Sequence, residues 1–184
     1  MYFKTKELVA MALFGAIIFA IAFVLGTAIL AVTGIPATGG LANVLVGVLL
    51  LVIGVKTINK FGVGTIIMTI EGALSVPTLI NGTPGVHKIF LMLLMGLIFD
   101  IIVVMFKRTK KGFILGATLG TLVLPWAMYY AMVLMGLPGP EKLQPILIPI
   151  SLAYAVLGAV GAWMGLILYE KKLKDKAFVK QLQS

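Results

Sequence analysis

HKIFLMLLMGLIFDIIVVMFKRTKK, residues 87–111, reads as one membrane crossing with its exit marked. A single acid, Asp100, interrupts the apolar run, which ends on Lys107, Arg108, Lys110 and Lys111. About 20 apolar residues cross a bilayer core of roughly 30 Å, so the run is long enough to span. Working outward from it, five further apolar stretches fill nearly all of the 184-residue chain. The spans are predicted at 8–32, 41–56, 62–80, 87–106, 112–137 and 146–169. No segment left over is long enough for a soluble domain. The expected fold is therefore an all-α bundle of six transmembrane helices, with residues 1–184 as one integral membrane domain.

The net charge of +9 points to nucleic acid only until its placement is read. Lys4 and Lys6 precede the first span, and Lys56 and Lys60 lie between the second and third. Lys107 to Lys111 separate the fourth from the fifth, and Lys171, Lys172, Lys174, Lys176 and Lys180 follow the last. Only Lys88 and Lys142 fall on the other side. The positive-inside rule then puts both termini in the cytoplasm of a multi-pass cell-membrane protein. Anionic lipid headgroups, and no nucleic acid, are the partners this distribution implies. The first apolar stretch is too long for a signal-peptide core and is expected to be retained. With no cysteine, disulfides, thiol catalysis and Cys-ligated metals are excluded.

Within the first span, Thr5 is a candidate helix cap, and Glu7 suits the positive end of the helix dipole. Ala12, Ala16 and Ala20 recur every four residues on one face. Small residues there permit close approach of another helix, either inside the bundle or from a separate membrane protein. Residues 32–40 carry no charge, with Gly34, Pro36, Gly39 and Gly40 among them. This composition excludes a helix interior; the alternatives are a plain connector and a gate folded over the outer mouth of the bundle, and the lack of charge favours the gate. Asn43 follows just inside the second span.

Glu71 lies near the middle of the third span. An ionisable side chain at that depth costs roughly 2.5–3.5 kcal/mol on insertion scales and by default marks function. The alternative is a neutral or hydrogen-bonded Glu buried against a neighbouring helix. Met68, Ser75 and Thr78 are predicted to share its face and to continue a polar strip outward. Asn81-Gly82-Thr83-Pro84-Gly85 reads as a turn in preference to a glycosylation acceptor, with His87 beyond it as a possible hydrogen-bond donor to ligand. Asp100 is expected to pair with Lys107, which snorkels back toward it.

In the fifth span, Pro125 predicts a kink. Trp126, Tyr129 and Tyr130, with Tyr154 in the sixth, are candidate ligand contacts. Aromatics near an interface often form only a belt. Facing inward above Glu71, they would stack on a flat nitrogen-containing ring. Gly116, Gly120, Gly158, Gly161 and Gly165 indicate tight helix seams.

No phosphate-binding loop, nucleophile elbow or zinc-protease motif is present. A lone histidine is a poor metal site. The residues point to a binder or carrier, not an enzyme, with no cofactor and no metal.

These features together resemble the substrate-binding S-component of energy-coupling factor (ECF) vitamin transporters. The resemblance covers the whole chain. It rests on the Ala12-Ala16-Ala20 series, the uncharged segment 32–40 and the basic ending Glu170-Lys171-Lys172. It implies that the alanines dock on a transmembrane coupling subunit and that two cytoplasmic ATPases supply the energy. It also implies that a vitamin-like ligand is taken from outside, between the first and third outer-side loops and the outer halves of spans four to six, where the candidate contacts are Glu71, Asn43, Ser75, Thr78, Asn81, His87, Trp126, Tyr129, Tyr130 and Tyr154. Glu71 followed by the 81–85 turn looks like members that take thiamine or its hydroxymethylpyrimidine precursor. Two other readings stay open: a small proton-coupled carrier using Glu71, and a membrane assembly factor with no transport role.

Overall fold

The computed structural model describes the backbone of residues 2–183 apart from 34, 35, 81, 138 and 139. The side chains of 30, 33, 36–39 and 183 also lie outside the description. The elements are α1 (Thr5–Thr33), α2 (Pro36–Ile58), α3 (Val63–Ser75), α4 (His87–Met105) and α5 (Lys110–Leu134). A single turn, α6 (Pro140–Leu143), leads through a 3-10 turn into α7 (Leu147–Leu168). A π-type turn (Tyr169–Leu173) and α8 (Ala177–Gln183) follow. Among the described residues, five helices are long and apolar enough to cross a membrane, and α3 is a shorter apolar sixth.

The six helices close into a ring. Going round it, α1 packs on α2, α2 on α7, α7 on α5, α5 on α4, α4 on α3, and α3 back on α1. Leu51, Val52, Ile67 and Phe99 fill the centre, and the Phe99 and Phe113 rings meet edge to face at 5.9 Å. Glycines set the seams. A Cβ added at Gly72 would lie 2.8 Å from the Lys88 carbonyl oxygen, and one at Gly165 would lie 2.7 Å from that of Leu49. These backbones approach more closely than a side chain allows, as small residues in membrane interfaces permit.

Polar contacts gather the termini and two turns at one end. Lys60 Nζ lies 2.7 Å from the Glu7 carboxylate, and Arg108 donates to Asn59 Oδ1 at 2.6 Å. Lys110 pairs with Glu170 at 2.8 Å, and Lys6 donates to the Gln181 carbonyl. This basic end is the N-terminal side of α1, α3 and α5. The opposite, loop end carries segment 76–86, α6, Lys88 and Lys142.

Four local expectations are corrected. Residues 36–40 are not loop: they form the start of α2, with Pro36 as its first residue. Proline is suited there, because a first-turn N–H has no helical acceptor to lose. The helix cap at the chain start is not Thr5: Glu7 Oε2 accepts the Lys4 N–H at 2.8 Å, the reciprocal half of a capping box. The third span stops at Ser75 instead of running to residue 80. Pro77 has no N–H for the Ala73 carbonyl, and its ring clashes with a continuing helix. Asp100 does not pair with Lys107. It accepts from Gly64 N at 3.2 Å, Thr65 N at 2.8 Å and Thr65 Oγ1 at 2.8 Å. An acid on α4 thus caps the N-terminus of α3, where unpaired N–H groups and the helix dipole favour negative charge.

Candidate functional site

Thirteen residues of α3 rise about 20 Å, well short of a bilayer core of roughly 30 Å. The missing turns are replaced by segment 76–86. A helix that stops inside the bundle exposes carbonyls that water cannot reach. Lys88, in the first turn of α4 and fully buried, answers them. Its Nζ donates to the carbonyls of Ser75 at 3.1 Å, Thr78 at 2.6 Å and Ile80 at 2.6 Å. An ammonium has three protons to donate, so the group is satisfied. The Glu71 carboxylate interacts electrostatically with the same ammonium.

Beside this cap, at the loop end, lies a cavity of about 640 Å³. That is within the range of small-molecule sites, roughly 300–1,000 Å³. Its wall is mostly apolar, with a few polar groups brought together from separate elements. Glu71 comes from α3, Asn43 from α2, Tyr154 from α7 and Thr83 from segment 76–86. Glu71 is 2% exposed. Asn43 Oδ1 and Thr83 Oγ1 are buried with no hydrogen-bond partner among the described residues. A Cβ at Gly26 would lie 3.1 Å from Asn43 Nδ2, and one at Gly40 would collide with the Tyr154 hydroxyl. The two glycines therefore make room for two polar groups of the wall.

Of the residues singled out from sequence, Glu71, Asn43, Tyr154 and Gly40 line this cavity. Ser75 does not; it is buried and donates to the Gly72 carbonyl. Thr78 lies beyond the end of α3, off the face it was expected to share, and bonds within its own turn. His87 is buried in the first turn of α4 and is not part of the lining. Asn81 and Gly34 fall outside the described residues, and the side-chain surroundings of Pro36 and Gly39 do too.

The inward-facing aromatic box is not present in the form expected. Leu124, Pro125, Met128 and Met132 are the residues of α5 that face the cavity. At 100° per residue this face leaves Trp126 and Tyr130 on the far side of the helix. Trp126 is 37% exposed and Tyr130 56%, and the Tyr129 and Tyr130 rings stack edge to face 5.5 Å apart. Sequence reasoning had the right half of α5 but the wrong rotation. The signal that it missed was methionine spacing: Met92 and Met95 on α4, and Met128 and Met132 on α5, lie one turn apart.

On α1, Ala12 and Ala20 are exposed and Ala16 is half-buried. Val9, Leu13, Ile17 and Val24 are exposed beside them. This helix has the least buried of the candidate spans.

Neither a protein-family model nor a curated protein matches the sequence. Among solved structures, one described as an S-component of an ECF transporter aligns with a TM-score of 0.55. The alignment covers 98% of this chain and 93% of that one at 20% identity. The fold is similar to that of an S-component. Identity at this level bears on the fold alone. The S-component-like bundle and the multi-pass character agree with the apolar pattern, and the ligand is a separate question.

Proposed function

We propose that this chain is the substrate-capture subunit of an ECF-type importer, and that its ligand is thiamine or the hydroxymethylpyrimidine precursor. The observation that carries the reading is the cavity itself: about 640 Å³, with Glu71, Asn43 and Tyr154 converging inside an S-component-like bundle. An aminopyrimidine offers N–H donors and a thiazolium carries positive charge. A carboxylate and an amide oxygen in the wall of one cavity suit both, through charge-assisted hydrogen bonds and ion pairing. Both termini would face the cytoplasm, as the basic end favours. The ligand would then enter from outside at the loop end. The exposed alanine face of α1 would dock on a transmembrane coupling subunit, and two cytoplasmic ATPases would drive release. In this reading the chain performs no chemistry of its own.

Native mass spectrometry of the detergent-purified protein tests the ligand first: a thiamine or pyrimidine mass is expected to co-purify. Glu71→Gln should then weaken binding at least about tenfold, or ~1.4 kcal/mol, while leaving thermal unfolding nearly unchanged. Unchanged affinity would remove Glu71 from the site. Ala16→Trp should abolish pull-down of the coupling subunit and uptake while ligand binding persists, because an indole prevents close helix approach. Uptake that needs no ATPase and collapses with the proton gradient would replace the reading with that of a proton-coupled carrier.

A further inference from the structure

The cavity expected to carry an aromatic box has five thioethers in its wall instead, set among a larger number of branched aliphatic side chains. Met68 of α3, Met92 and Met95 of α4, and Met128 and Met132 of α5 all line it. They account for five of the ten methionines in the chain. The spacing is deliberate in the geometric sense: Met68 precedes Glu71 by one turn, and the other four form pairs one turn apart, which brings each pair to one face. Aromatic side chains contribute little to the wall; Phe23 and Tyr154 are those present among the described residues, and Phe23 is 45% exposed. Met128 also reaches segment 76–86. A Cβ at Gly82, where φ is +102°, would collide with the Met128 methyl group.

Methionine is unbranched and polarisable, and its sulfur makes favourable contacts with aromatic rings. A wall meant only to exclude water is served as well by leucine, whose volume is similar and whose rotamers are better defined. Five thioethers in a wall that also carries a carboxylate and an amide oxygen suit a flat, polarisable ring with donors along one edge; Thr27, Thr83, the Tyr154 hydroxyl and the exposed Lys142 complete the polar lining. We propose that these five methionines form the ring clamp of the site and set its specificity for a flat heteroaromatic ligand, with Glu71 and Asn43 taking the donor edge. This rests on the transport reading above and adds to it the residues that select a ring over a saturated ligand.

The test is isothermal titration calorimetry on the full-length detergent-purified protein with four probes. Thiamine and hydroxymethylpyrimidine present flat rings; biotin and pantothenate have no aromatic ring. The wild type should bind at least one ring probe and neither of the others. Each Met→Leu change should weaken ring binding about two- to tenfold, given the strength of sulfur–aromatic contacts. The combination M92L/M95L/M128L should weaken it by more than tenfold, with its thermal midpoint as the folding control.

Unchanged ring affinity in the folded triple variant overturns the clamp and leaves the transport reading standing. So does tight binding of biotin or pantothenate by the wild type. Binding of none of the four overturns both. Where the triple variant does not fold, peroxide footprinting of the wild type decides. Ring ligand should protect Met92, Met95 and Met128 from sulfoxide formation and leave exposed Met105 and Met164 unprotected. Equal oxidation of the cavity methionines with and without ligand overturns the clamp.

Discussion

Helix α3 is capped at both ends from the same neighbour, yet the two ends serve different purposes. At the basic end, Asp100 of α4 accepts three hydrogen bonds from Gly64 and Thr65. At the loop end, Lys88 of the same helix donates three, to Ser75, Thr78 and Ile80. Both charges suit the α3 dipole, negative at its N-terminus and positive at its C-terminus. The first cap closes a well-packed end. The second makes it possible for the helix to stop early, and the space its missing turns vacate adjoins the cavity. The hollow in this bundle thus depends on a buried lysine that is not itself part of the cavity lining but holds Ile80, which is.

The largest effect follows from removing that lysine. Lys88→Met keeps the length of the side chain but takes the donor from the Thr78 and Ile80 carbonyls, while the Ser75 carbonyl keeps the Thr78 N–H and hydroxyl. A buried acceptor stripped of its partner costs about 1–3 kcal/mol, so the loss of two should reach about 2 kcal/mol or more. Thermal or denaturant unfolding in detergent measures it. The loss of the charge that faces Glu71 should also disturb the site, so ligand affinity is expected to fall together with stability. A variant as stable as the wild type would mean that the carbonyls at the end of α3 find other donors.

Asp100→Asn is the matching change at the other end and should cost less, about 1–2 kcal/mol. The amide retains one acceptor oxygen, but it loses the charge that favours a helix N-terminus and turns a donor toward a backbone N–H. Ligand affinity should be unchanged, because Asp100 lies away from the cavity. Equal losses at the two ends would erase the distinction between a packing cap and a cap that sustains a hollow.

The two caps also mark what was legible in the sequence and what was not. Span number and charge segregation depend on composition along the chain, and both could be read directly. Glu71 was visible as an acid at a depth where acids are rare. Asp100 was visible for the same reason but drew the wrong partner. Lys107 follows it at helical spacing, whereas Gly64 and Thr65 are 36 and 35 residues away in sequence. Lys88 was visible only as one of two basic residues on the sparsely charged side, because a lysine at the edge of an apolar run ordinarily points to water. Only the early stop of α3 at Pro77 creates the carbonyls that draw it inward. Trp126 shows the same limit on α5: periodicity places a residue on a face but leaves open which face turns inward.

The smallest effect should come from the exposed ion pair at the basic end. Lys110 and Glu170 lie 2.8 Å apart, closer than many interior contacts, with side chains 66% and 37% exposed. Water solvates both partners whether or not they meet, salt screens the attraction, and holding two long side chains together costs entropy. Distance alone would rank this contact beside that of Lys88 with Thr78; burial ranks it far below. Lys110→Met should leave the unfolding midpoint within experimental error of the wild type at 150 mM salt. A shift comparable to that of Asp100→Asn would mean that the pair holds the tail after α7 against the 107–110 turn. The basic end would then depend, as the loop end does, on single polar contacts in place of helix packing.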